Sequence, residues 1–111
     1  MQQKTSLTWA MEQYDDKIIL RLGGVLTRDT LLPLWEQRSS FLSKIALDSQ
    51  PIIWELQALT RIDSAGFALF CDYLYQVQKQ GQPQQLVNVP KQLLTLADLF
   101  GLSHWIKPFL L

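Results

Sequence analysis

The side chains whose type and placement could carry chemistry are Ser64, Cys71 and His104. Ser64 stands in Arg61-Ile62-Asp63-Ser64-Ala65-Gly66, where a strand pattern gives way to a helix pattern. That position puts a hydroxyl at the first helical turn, beside backbone N–H groups with no partner in the helix and at the positive end of its dipole. A serine there can cap the helix, contributing roughly 0.5–2 kcal/mol, a role for which Asp63 competes. It can also be phosphorylated, because a phosphate of about −1.5 to −2 charge meets free donors and a favourable dipole there. Cys71 falls on the helix face assigned to the core, where a thiol is inert. His104 sits alone near an apolar tail, with no acid or cysteine at ligand or triad spacing. No residue therefore qualifies as catalytic, and neither a metal nor a cofactor is expected. Gly23-Gly24 is no phosphate-cradling loop.

The bounds on the chain point the same way. A length of 111 residues with 48% hydrophobic content suits one domain, 1–111, with one core and no separate catalytic lobe. Ten basic and ten acidic residues cancel, so neither nucleic acid nor an anionic lipid surface is an expected partner. Partners must be held by shape and apolar contact. Cys71 as sole cysteine excludes an intramolecular disulfide and a multi-cysteine zinc site, and fits a reducing compartment. The longest apolar run, Ala65 to Cys71, is far short of the roughly 20 residues that cross a bilayer. No hydrophobic segment resembling a signal peptide follows Met1 to Ser6. A cytosolic protein without direct membrane insertion is expected.

The elements that would position Ser64 can be traced along the chain. Leu7 to Gln13 and Lys17 to Gly23 read as two strands joined at Tyr14-Asp15-Asp16 and ended by Gly23-Gly24. Asp29 and Thr30 can cap a first helix with Pro33 in its first turn, running to about Ile45 with Leu31, Leu34, Trp35, Phe41, Leu42 and Ile45 on one face. The Asp48-Ser49-Gln50-Pro51 loop leads into the Ile52-Ile53-Trp54 strand, and a second helix runs from the motif to a stop at Gly81 and Pro83. The Gln-rich stretch from Gln76 to Gln85 reads as an exposed helix end and turn. Leu86 to Val89 is the next strand. Pro90 opens a third helix through Leu93, Leu94, Leu96, Ala97 and Phe100, ended by Gly101. Leu102 to Leu111, broken by Pro108, is a short helical turn or edge segment. The pattern predicts an α/β fold with a small mixed sheet and packed helices.

On a wheel of 100° per residue, Phe67, Phe70, Cys71, Leu74 and Gln78 gather on one side of the second helix, with Val77 at the edge. Ala65, Leu69, Asp72, Tyr73 and Gln76 gather on the other. The outer side thus offers Ala65, Leu69 and Tyr73 beyond Ser64, which reads either as isolated surface apolars or as a partner surface. Trp35 is likewise either a core tryptophan or an interface anchor.

The span Ile52 to Gly66, a strand followed by Glu55-Leu56 and then Ile62-Asp63-Ser64-Ala65-Gly66, resembles the STAS domains, the fold of the bacterial anti-sigma-factor antagonists. Gly81, Leu86-Val87-Asn88-Val89 and Leu93 through Leu102 follow the family's order, so the resemblance covers nearly the whole chain. Leu31-Leu32-Pro33-Leu34-Trp35-Glu36, followed later by Ile62 through Leu69, is similar to the branch that forms the small cytoplasmic subunit of the Mla phospholipid-transport ABC complex of Gram-negative bacteria. The resemblance implies a non-catalytic module on the transporter's ATPase subunit, and through it at the membrane permease, peripheral to the inner membrane. It matches Ser64 to the family's serine or threonine at the helix start, Asp63 to the acid before it, Gly66 to a close-approach glycine and Trp35 to the tryptophan of the first helix. Glu55 stands where the family has Asp, and Ala65 where switch-type members have Ser or Gly. Ser64, Ala65, Leu69, Tyr73 and Trp35 are accordingly the expected contact residues, with Ser64 second as a phosphosite. The alternative is an anti-sigma-factor antagonist working as a serine-phosphorylation switch.

Overall fold

The computed structural model describes residues 6–110. Residues 1–5, where no signal-peptide pattern was read, and Leu111 lie outside the described residues. β1 (Leu7–Gln13) and β2 (Ile18–Leu26) form an antiparallel hairpin in an unshifted register. β3 (Ile52–Glu55) lies parallel to β2, and β5 (Gln84–Val87) parallel to β3. The sheet order is β1-β2-β3-β5, and β4 (Leu59–Ile62) pairs with β2 beyond the end of β3. Alternation along β2 buries Ile18, Leu20 and Leu22 on the helix-covered face and leaves Arg21 exposed on the other, where it pairs with Glu12 at 3.2 Å.

The hairpin differs from expectation at its second end. Gly23-Gly24 does not close it but lies inside β2, which runs on to Leu26. Gly24 has φ 80°, and a side chain there would put Cβ 2.2 Å from the Ser6 carbonyl oxygen. The glycines let two backbones meet rather than turn. β4 was hidden for a related reason: Leu59–Ile62 is only four residues, and its register against β2 slips between Gly24 and Val25.

The first helix is two. α1 (Leu32–Glu36) and α2 (Arg38–Asp48) meet at Gln37, whose φ −90° and ψ 4° break the ladder. Neither Asp29 nor Thr30 caps α1. The Thr30 hydroxyl instead donates to the Val25 carbonyl at 2.7 Å and accepts the Thr27 N–H at 3.0 Å, tying the β2 exit. Leu34, Leu42 and Ile45 are buried, while the break leaves Trp35 half exposed.

α3 (Ser64–Lys79) packs against the sheet, α4 (Lys91–Leu99) starts after Pro90, and Gly101 beyond it has φ 71°. The chain ends in α5 (Ser103–Ile106), a 3-10 turn (Lys107–Phe109) and a bridge from Leu110 to Leu86, so it is both helical turn and edge segment. The strand read at Leu86 to Val89 begins two residues earlier and stops before Asn88, which adopts φ 54° and donates to both Glu55 carboxylate oxygens. The glutamines are not all exposed. Gln82 is buried and donates to the Ile45 and Gln50 carbonyls, and Gln84 accepts the Trp54 indole N–H at 2.9 Å while donating to the Leu74 carbonyl. A buried indole needs such a partner.

Candidate docking site

The motif is built on the β4–α3 junction. Asp63 is extended and caps α3: its Oδ1 accepts the Gly66 N–H at 2.8 Å, and its Oδ2 accepts the Arg28 N–H at 3.1 Å. The competition for the cap is therefore won by Asp63. The Ser64 hydroxyl, one residue later and exposed, makes no hydrogen bond among the described residues. Gly66 is buried against β2, where an added Cβ would lie 2.1 Å from the Leu26 carbonyl oxygen. The absence of that Cβ is what seats the first turn of α3 on the sheet.

The outer stripe read from the wheel is corrected by the packing. Leu69 and Tyr73 are buried, together with Gly66, Phe67, Phe70, Leu74 and Val77. Tyr73 lies between Phe41, at 5.5 Å between ring centroids, and Trp54, at 6.2 Å, and its hydroxyl donates to the Leu34 carbonyl at 2.8 Å. Burial pushes its pKa up to about 12. The buried arc is shifted towards Leu69 and Tyr73, because α2 and the sheet both pack against α3. Gln78, placed on the inner side by the wheel, is exposed.

The true outer face carries Ser64, Ala68 and Tyr75, flanked by half-buried Ala65, Cys71 and Asp72. On one side a shallow groove of about 250 Å³ is lined by Ser64, Phe67, Ala68, Cys71, Phe100 and Leu102. No charged residue lines it. Phe100, read as part of a packed helix face, is half exposed and stacks on Phe67 with centroids 6.0 Å apart. Burial raises the Cys71 pKa to about 12, so the thiol stays neutral and serves as apolar surface. On the other side Trp35 lies 5.3 Å from the Arg38 guanidinium, which forms a two-pronged pair with Asp72 through Nε–Oδ2 and Nη2–Oδ1. Asp72 holds the Arg38 charge and raises its pKa. The structure thus leaves Ser64 and Ala65 at the start of α3, ties Trp35 to that helix through Arg38 and Asp72, and removes Leu69 and Tyr73 from the outer face. Ala68, Phe100 and Leu102 were missed. The spacing Ser64-Ala68-Cys71 is the sequence signal for Ala68, small residues at i, i+4 and i+7 from the motif serine, whereas Phe100 and Leu102 reach the groove only through the fold.

His104 is exposed in α5. Among the described residues no group of three or more His, Cys, Asp and Glu is placed to hold a metal ion, and no helix is long and apolar enough to cross a membrane.

The family model described as the MlaB STAS domain matches residues 9–111. The chain belongs to the MlaB STAS family. It is 54% identical over 104 residues to the intermembrane phospholipid transport system binding protein MlaB of Haemophilus influenzae, covering 94% of this chain and 99% of that one. The MlaB protein of Escherichia coli is 34% identical over 103 residues, covering 93% and 96%. Among solved structures, the Bacillus cell fate determinant SpoIIAA in its phosphorylated form superposes with a TM-score of 0.65 at 20% identity, over 94% of this chain and 89% of that one. Its unphosphorylated form, an anti-sigma factor antagonist, gives 0.60 at 18%, over 94% and 86%. Those likenesses establish the STAS fold of this MlaB-family chain, a mixed α/β sheet with packed helices.

Proposed function

We propose that this chain is a non-catalytic binding subunit of an ABC phospholipid transporter, docked on the transporter's ATPase and supporting its assembly and activity. The reading rests first on relatives named as binding proteins of an intermembrane phospholipid transport system. The observation that carries it is the groove beside Ser64, lined otherwise by apolar side chains and by no charged one, with half-exposed Phe100 at its rim. A half-exposed aromatic beside a small-residue helix face suits a protein partner: Phe100 and Trp35 supply area, and Ser64, Ala65 and Ala68 let another backbone come close. The contact would hold the chain at the cytoplasmic side of the membrane through its partner. Ser64 serves in it as a contact residue. A second reading, a phosphorylation switch, draws on the exposed Ser64 hydroxyl at the start of α3, where Asp63 already provides the cap.

The test is co-purification with the transporter ATPase, comparing wild type with Ser64→Glu, Ala68→Glu and Trp35→Ala. All three positions are off the buried core, so each variant is expected to melt near wild type and lose recovery. Unchanged recovery in all three would sink the interface. Incubation with a cognate serine kinase, read by intact mass, addresses the switch.

A further inference from the structure

The sheet has one side that the described residues leave unpaired. At the β5 side Leu86 bridges to Leu110, whereas among the described residues β1 has no strand partner but β2. The ladder determines which groups of β1 face outward. Tyr14 N–H donates to the Lys17 carbonyl and Val25 N–H to the Ser6 carbonyl, each at 2.9 Å, and the register between these pairs is unshifted. Thr8, Ala10 and Glu12 therefore bond to β2, and Trp9 and Met11 turn their N–H and C=O groups to the open edge. Their side chains stand on the helix-covered face, opposite Leu22 and Leu20, and are half-buried. Alongside runs a groove of about 430 Å³ between β1 and α2, lined by Trp9, Ala10, Met11, Gln37, Ser40, Phe41 and Lys44. Because α2 connects the parallel strands β2 and β3, it runs opposite to them and in the direction of β1, so the groove lies lengthwise.

We propose that an extended segment of a partner protein adds to this edge as a further strand. It pairs with the backbone of Trp9 and Met11, lays an apolar side chain over Phe41, and places a carboxylate, two residues along, beside Lys44. Lys44 is exposed, is the one charged residue lining the groove, and has no ion pair among the described residues. Successive same-face residues of a strand are about 6.6 Å apart, and the rise from Phe41 to Lys44 is about 4.5 Å, a difference the lysine side chain spans. A second copy of this chain is the poorer occupant. An antiparallel β1–β1 pair would place its only acid, Glu12, on the opposite sheet face, where it already pairs with Arg21, and leave Lys44 without a counter-charge. The proposal holds whichever partner covers the α3 face.

The experiment titrates the 15N-labelled full chain with the acetylated, amidated peptide Thr-Val-Thr-Glu-Thr and with its counterpart carrying Lys for Glu. Saturable shifts centred on the Trp9 and Met11 amides are expected, with affinity about fivefold higher for the acidic peptide. Lys44→Glu, on the exposed side of α2, should reverse that preference. Met11→Pro removes an outward donor without removing a bond to β2, and should abolish binding while the circular dichroism spectrum is kept. Absence of saturable shifts at Trp9 and Met11, or an unchanged preference in Lys44→Glu, overturns the proposal. So do β1 shifts that grow with protein concentration alone, which would mark self-association.

Discussion

Replacing Asp63 by alanine and, separately, Ser64 by alanine divides capping from contact at the motif. Asp63 holds two backbone donors in different surroundings: the Gly66 amide at 2.8 Å, in a buried residue, and the Arg28 amide at 3.1 Å, in an exposed one. Loss of the first is loss of an N-cap over an amide that water reaches poorly, about 1–2 kcal/mol. Loss of the second leaves an amide that regains water, under about 1 kcal/mol. Asp63→Ala should therefore destabilise by about 1–3 kcal/mol, or a fall in Tm on the order of 4–20 °C. Asp63→Asn keeps an acceptor for the cap and should recover most of the larger part. The Ser64 hydroxyl has no partner within the described fold, so Ser64→Ala should stay within about 0.5 kcal/mol of wild type. Equilibrium urea unfolding followed by circular dichroism reads all three. An Asp63→Ala variant as stable as wild type, or a Ser64→Ala variant as damaged as Asp63→Ala, would refute the assignment of the cap to Asp63 and the release of Ser64 for a partner.

Two further outcomes follow from the same packing. Gly66→Ala would drive its Cβ to 2.1 Å from the Leu26 carbonyl oxygen and 2.7 Å from the carbonyl carbon, backbone atoms that cannot rotate away, so α3 must lift from β2. A loss of about 3 kcal/mol or more is expected in the same urea experiment. Tyr73 gives a pH dependence: its folded pKa, pushed up to about 12 from about 10, means the folded state keeps a proton that the unfolded chain releases. Its contribution is fully present below about pH 10 and is lost as pH rises towards 12. Tyr73→Phe should lose the bond to the Leu34 carbonyl at neutral pH and flatten stability between those two values. A slope equal to wild type in that window would show that Tyr73 does not cause it.

Much of the architecture was legible because it is written in local signals. Pro90 and Gly101 bracket α4, Gly81 follows α3, and the β1–β2 hairpin shows in its alternation. What escaped depends on contacts between distant segments. β4 has too few residues to display a period, and Gly24 looks like a turn until Ser6 is brought against it. Gln82 and Gln84 look solvent-loving until the Ile45 and Gln50 carbonyls and the Trp54 indole require them. The break at Gln37 likewise turns Trp35 out of an apolar face that is continuous in the sequence.

The phase of α3 shows most clearly why the site was only half legible. A helix wheel gives angles between residues but not the width of the arc that neighbours cover, and here two layers cover it. The sheet takes Phe70, Leu74 and Val77, while Tyr73 reaches Leu34 and Phe41 from the α1–α2 side. Large apolar residues at either margin of the arc are thereby drawn inward, and the first two turns of the outer face keep small ones. Ser64 and Ala68 remain there because nothing in the fold requires their side chains. A groove floored by core Phe67 and edged by exposed Ser64, Ala68 and Phe100 is a stronger indication of a partner than a buried leucine and tyrosine.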